Sequence, residues 1–282
     1  MVKVLSDSTC DLSKELVERY GIDVIPLFII LGEREYKDGV NITPEEIYKW
    51  SDDNKTTPGT AAVSMADAMN VIGKYTKAGD DVVIFTISKS MSSTNNVFKL
   101  AADELEVTDK VAVIDSANLS TGIGLLVIEA AIMAKNGASL KEISDRMEEL
   151  KPNVRASFVV DTLTYLHRGG RCSGVAALAG SLLSIHPKIE VVDGKMIPTK
   201  KYRGDINRVI MNYAKDMEAD LKKARKERVF ITHSGSDPKT VDEVRAYLEG
   251  LGQFDEILET RAGGVVSSHC GPGTLGVLFI LS

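Results

Sequence analysis

Hydrophobic positions come in short unbroken runs through the first half of the chain. "VKVLSDS" at the start reads as a buried strand and "DVIPLFIIL" from Asp23 as a second, while "DVVIFTIS" from Asp81 and "KVAVIDS" from Lys110 are apolar on successive residues, not on alternate ones. Such runs suit strands covered on both faces, as in a parallel sheet between layers of helices. Helical stretches separate them. One is predicted near Ser13 to Tyr20, one opens in "TPEEIYKW" with Thr43 as cap and Pro44 in its first turn, and others cover Met65 to Lys77 and Thr94 to Leu105. This alternation predicts an α/β domain whose sheet is largely parallel and flanked by helices.

The pattern changes after a helix predicted for Ser139 to Leu150. "RASFVVD" reads as a strand, and "KIEVVDGKMIPTK" as a hairpin turning on the two residues Asp193-Gly194. A long amphipathic segment from Asp205 to about Lys226 follows, then the strand "RVFITHS" and a helix from Pro238 to Leu251. Hairpin plus long helix predicts an α+β domain with a mainly antiparallel sheet. The boundary falls near Pro152, giving an N-terminal α/β domain over residues 1–152 and a C-terminal α+β domain over 153–282. No repeat or low-complexity linker separates them, so close packing with a cleft between is expected.

Composition narrows the function classes. Hydrophobic content of 44% and charged content of 26% are those of a soluble globular protein. A formal net charge of −6 argues against nucleic acid as a partner, because phosphate binding wants a basic face. No apolar run approaches the roughly 18 residues a transmembrane helix needs. The first strand follows Met1 directly, which leaves no room for a signal peptide. Cys10, Cys172 and Cys270 are an odd, unclustered set without metal-ligand spacing. A reduced cytoplasmic protein without a metal site is the expectation.

Candidate chemistry gathers at the ends of the predicted strands. "SDSTCD", "SKSMSSTNN" and "DSANLSTG" end three of them, and "TTPGTAAVS" precedes a helix. Hydroxyls in such places ordinarily cap helices. Several around one sheet edge would also make an anion cradle of hydroxyls and backbone amides. In "LTYLHRGGRCSG" the pair Gly169-Gly170 ends a short helix and delivers Arg171, either to solvent or toward an oxyanion. Gly271, Gly273 and Gly276 spell G-x-G-x-x-G, but the six residues after them read as one buried strand, so no βαβ dinucleotide site fits. His269, placed in a glycine-rich strand-to-turn segment, is either structural or functional. A hydrolase or acyltransferase could be drawn from Ser92, His269 and Asp7 or Asp115, yet no G-x-S-x-G elbow is present. Thr9 stands where a D-x-D phosphohydrolase would have its second aspartate, and no H-E-x-x-H, P-loop or C-x-x-C occurs. Rich in hydrogen-bond donors and poor in activated groups, the constellation is that of a binder.

"SDSTCDL", "SSTNN", "LTYLHRGGRCSG" and "SHCGPGTLG", in this order along essentially the whole chain, resemble the DegV family of bacterial fatty-acid-binding proteins. The resemblance implies a long-chain fatty acid in an internal tunnel between or near two domains, with no other cofactor. It implies that a threonine and a serine hold the carboxylate. The threonine's stretch matches "TAAVS" at its first and last residues only, so Thr60 is the match and Thr57 the fallback. The serine matches Ser92, with Ser93 beside it. His269, Gly271 and Arg171 are implied close by. Some members are similar to the substrate-presenting subunit of a fatty-acid kinase, in which case Arg171 and Arg203 would face the kinase; otherwise "KKYR" is a solvated hairpin edge. The cysteines fall inside the matched motifs, as small buried fillers or a thiol-sensitive site. Burial of the tail is worth about 0.8 kcal/mol per methylene, roughly 11 kcal/mol for about fourteen of them, much of it offset by lost freedom. "SGVAALAGSLLSI" and "LSTGIGLLVIEAAIMA" offer tunnel lining or ordinary core.

Overall fold

The computed structural model describes residues 1–172 and 185–282. In the first half β1 (Val2–Asp7), α1 (Lys14–Tyr20) and β2 (Asp23–Ile25) are followed by the hairpin β3 (Phe28–Leu31) and β4 (Arg34–Lys37). Then come α2 (Pro44–Asn54), β5 (Gly59–Ala61), α3 (Met65–Thr76), β6 (Asp81–Thr86) and α4 (Thr94–Glu104). β7 (Val111–Asp115), α5 (Thr121–Lys135) and α6 (Leu140–Leu150) complete it. One sheet, ordered β2-β1-β6-β7, is parallel throughout. The central strand β6 is apolar on successive residues because both its faces are covered. On β6, Val83 and Phe85 enter the core that α5 and α6 share, while Val82 and Ile84 enter the core beneath α3 and α4.

The run "DVIPLFIIL" does not form the single strand expected of it. Pro26 has no N–H to give a ladder, so the chain leaves the parallel sheet after Ile25. It resumes as β3 at the centre of a separate antiparallel sheet, β4-β3-β5. That small sheet was not legible in the pattern, and it matters because β5 carries Thr60.

The second half contains β8 (Val154–Val159), α7 (Thr164–Gly169), β9 (Ile185–Val192), β10 (Lys195–Arg203), α8 (Ile206–Asp216) and α9 (Glu218–Leu221). After these come β11 (Arg228–His233), α10 (Pro238–Gly250), β12 (Glu256–Arg261), α11 (Gly264–Cys270) and β13 (Leu275–Ile280). The sheet order is β10-β9-β8-β13-β11-β12, antiparallel except where β12 joins β11 in parallel. α8 and α10 cover one face through Val209, Ile210, Tyr213, Val241 and Val244. The expected long helix from Asp205 stops at Asp216 and restarts as the short α9. Asp193 and Gly194 turn the β9–β10 hairpin with both φ angles positive (48° and 76°), as a type I′ turn requires.

α5 explains a segment that is apolar nearly all round. It packs against β1 and β6 on one side and against β8 and β13 on the other, so it has no polar face to keep. The portion of "LSTGIGLLVIEAAIMA" on this helix is therefore core. "SGVAALAGSLLS", residues 173–184, lies outside the described residues.

Candidate functional site

A cavity of about 290 Å³ opens where the two large sheets and the small one converge. Leu27, Ile87, Met91, Leu119, Met196 and Val265 give it an apolar wall. Thr60, Ser92, Ser93 and His269 supply the uncharged polar groups, and Arg171 is the one charged side chain among the described residues that line it. Five sequence candidates thus converge from β5, the β6–α4 loop, the turn after α7 and the end of α11. Cys270 lines the same cavity. Gly271 and Arg203 are not among the residues that line it.

Each candidate is placed by a local reason. Thr60 pairs with Ile29 across the small sheet. Ser92 Oγ lies 2.9 Å from Thr94 Oγ1 and accepts from the Thr94 amide. Ser93 stands at the N-cap of α4 without making a side-chain cap bond, so its hydroxyl is not spent on the helix. Ser13, Thr43, Ser64 and Ser139 do cap their helices, which is the ordinary use of such residues. Gly170 ends α7 with φ at 66°, and the exposed Arg171 turns back to donate to the Gly169 carbonyl at 2.8 Å.

His269 sits in the last turn of a helix, where a strand-to-turn segment was expected. α11 reads poorly as a helix because "GVVSSHC" holds a glycine, two valines and two serines. Tertiary bonds hold it instead. Its first amides meet buried carboxylates from the other half of the chain: Gly263 N–H donates to Asp11 Oδ1 at 2.8 Å and Gly264 N–H to Asp38 Oδ1 at 2.7 Å. The free amides at a helix start need such acceptor oxygens. A side chain at Gly264 would strike Ile29, Ile47 and Asp38. Asp11 also accepts from Ser120 Oγ at 2.5 Å, and Asp38 from Ser8 Oγ at 2.8 Å. Asp7, nearby, accepts from the amides of Thr9 and Ile87. Burial raises all three carboxyls, Asp7 to about 6 and Asp11 to about 8, and repulsion from the neighbouring carboxylates adds to it at Asp7 and Asp11. Asp11 and Asp38 are the residues the motif reading missed. Asp11 was visible in "SDSTCD", but the far partner it serves was not.

His269 Nε2 lies 2.9 Å from Thr60 Oγ1. Burial, with the Arg171 charge adding to it, pushes the ring down to about 4, so it is neutral at ordinary pH. The drawn triad is not assembled. Ser92 bonds Thr94, Asp7 bonds backbone amides, and Asp115 Oδ1 accepts from the amides of Lys89 and Ala117. Thr57 is absent from the wall. Gly271, with φ at 76°, packs against Tyr165 so closely that a β-carbon would lie 2.6 Å from its ring, and its carbonyl accepts from Ser234 Oγ. The three thiols are buried, and burial raises each of them: Cys10 to about 12, Cys172 to about 11, and Cys270 further.

The family described as "Uncharacterised protein, DegV family" matches residues 1–282. The chain belongs to the DegV family. A fatty acid-binding protein of Thermotoga maritima is 32% identical over 281 residues, covering 98% of this chain and 96% of that protein. Among solved structures, a fatty-acid-binding DegV family protein from Thermus thermophilus superposes with a TM-score of 0.91 at 30% identity, covering 100% of this chain and 99% of that one. A stearic acid-binding protein from Eubacterium ventriosum gives 0.86 at 30% identity, covering 100% and 98%. The DegV fold therefore accounts for both halves of the chain, as the sequence motifs indicated.

Proposed function

We propose that this DegV chain binds a long-chain fatty acid in the cavity beside α11. Thr60, Ser92 and Ser93 receive the carboxylate, His269 stands behind Thr60, and Arg171 faces the head group from the rim. The observation that carries this reading is the Thr60–His269 pair at 2.9 Å, set with Ser92 and Ser93 in the wall of a cavity lined mainly by apolar side chains. A buried carboxylate held by hydroxyl donors and a nearby guanidinium needs no full ion pair. The relatives' described fatty-acid binding supports the same ligand.

We further propose that the protein presents this carboxylate to a separate fatty-acid kinase in the cytoplasm, with Arg171 and Arg203 toward the partner. Both arginines are exposed, and no helix among the described residues is long and apolar enough to cross a membrane. Extraction of the purified protein with organic solvent, followed by mass spectrometry, should return a long-chain fatty acid in near-stoichiometric amount. Protein that yields none and takes up none when it is added refutes the ligand assignment. With a kinase catalytic subunit present, Arg203→Ala should keep ligand affinity and lose acyl-phosphate formation; unimpaired transfer would remove Arg203 from the partner face.

A further inference from the structure

His269 has two ring nitrogens, and the structure provides a partner for one. Nε2 meets Thr60 Oγ1 at 2.9 Å. Nδ1 is sealed from solvent without a hydrogen-bond partner among the described residues. Facing Nδ1 is Gly169, on which a β-carbon would collide with that nitrogen. The Gly169 α-hydrogen occupies the same direction and points at the ring. We infer that Gly169 holds His269 as the neutral Nε2–H tautomer, which turns the Thr60 hydroxyl into a donor aimed at the cavity and makes the site select an ionised acid over the alcohol of the same chain.

The two tautomers are not equivalent here. With the proton on Nδ1, a buried N–H would be driven against the Gly169 Cα–H and left unsatisfied, the costliest state for a buried donor. The doubly protonated ring places a hydrogen at the same spot and adds a buried charge. With the proton on Nε2, the bare Nδ1 lone pair meets a Cα–H, a weak but favourable contact. Nε2–H then donates to Thr60 Oγ1. A hydroxyl has one hydrogen and accepts through its lone pairs, so the Thr60 hydrogen is left free to donate to a ligand. An ionised head group accepts that bond more strongly than a neutral one does. The reverse tautomer would have Thr60 donate to Nε2 and present lone pairs to the cavity, which would favour a protonated acid or an alcohol. Burial and the Arg171 charge, which keep the ring neutral, agree with the assignment.

Long-range ¹H–¹⁵N correlation spectra of the ¹⁵N-labelled protein at neutral pH read the tautomer directly, His269 being identified by its loss in His269→Gln. The expected pattern is a protonated Nε2 and a bare Nδ1, with or without ligand. A protonated Nδ1, alone or together with Nε2, overturns the inference. Gly169→Ala, if folded by circular dichroism, should displace the ring, mix the tautomers and weaken palmitate at least about tenfold. A folded variant with unchanged spectrum and affinity removes Gly169 from the role, and the wild-type spectrum decides the tautomer even if the variant does not fold. Palmitate should bind at least about tenfold tighter than hexadecanol, and equal binding overturns the donor direction. This last part rests on the fatty-acid reading: if neither binds while the spectrum is as expected, that reading has failed and the tautomer stands.

Discussion

Raising the pH from about 6.5 to about 8 should destabilise this protein, and the cause is Asp11. Its carboxyl is buried beside Asp7 and Asp38, and its folded-state pKa stands at about 8 against an ordinary 3.8. In the unfolded chain it is ionised throughout this window, whereas in the folded protein it keeps its proton until about pH 8. The stability this proton confers is complete below pH 3.8 and is lost as pH rises toward the folded value. Each pH unit between the two costs about 1.4 kcal/mol, so the window of about 1.5 units costs about 2 kcal/mol. Asp38, also raised by burial, acts in the same direction, while the two lowered histidines oppose it by a few tenths of a kcal/mol each. Asp7, at about 6, has largely finished titrating. His233 and His269 have lowered pKa values, so their contributions level off near the unfolded histidine value of about 6.5. Urea unfolding at the two pH values measures the loss. Asp11→Asn keeps an amide oxygen for the Gly263 N–H and turns its NH₂ toward Ser120 Oγ, a hydroxyl that can accept as well as donate. It should therefore fold and lose more than half of the pH dependence. A wild-type stability that is flat or rises across the window, or an Asp11→Asn slope equal to wild type, would refute the reasoning.

Two further outcomes follow from the geometry. Thr60→Val should weaken palmitate binding by about 10- to 100-fold, the loss of one hydrogen bond to a charged group, and should lower stability by about 1–3 kcal/mol because the buried His269 Nε2–H loses its acceptor; calorimetric titration and a melting curve check both. Gly264→Ala should cost about 1–3 kcal/mol by overpacking, since its β-carbon would lie 2.5 Å from Ile29 Cδ1 and 2.9 Å from Asp38 Oδ1. Unfolding at an unchanged denaturant midpoint would show that α11 can shift at no cost.

Much of the candidate site was legible before the fold was. Thr60, Ser92, Ser93, Arg171 and His269 were named from motifs scattered over some two hundred residues, and the structure brings all five to one cavity. What the motifs could not show was how His269 arrives. α11 was read as strand and turn because its local preferences are weak, and local preference is all that a sequence window reports. The amides that begin this helix are answered by Asp11 and Asp38, residues more than two hundred positions earlier, and no periodicity records a bond across that distance. The same limit hid the small sheet around β3, whose strands are four, four and three residues long.

The sequence by itself determined the parallel first sheet, the I′ hairpin at Asp193-Gly194 and most helix starts, because these depend on periodicity, turn chemistry and capping within a few residues. Tertiary structure alone decided the environment of each polar group: the pairing of His269 Nε2 with Thr60, the burial that raises the Asp11 carboxyl, and the few polar groups set in the wall of a largely apolar cavity. Those are properties of burial and of partners distant in the chain. Desolvation and hydrogen-bond geometry exist only once the halves have packed.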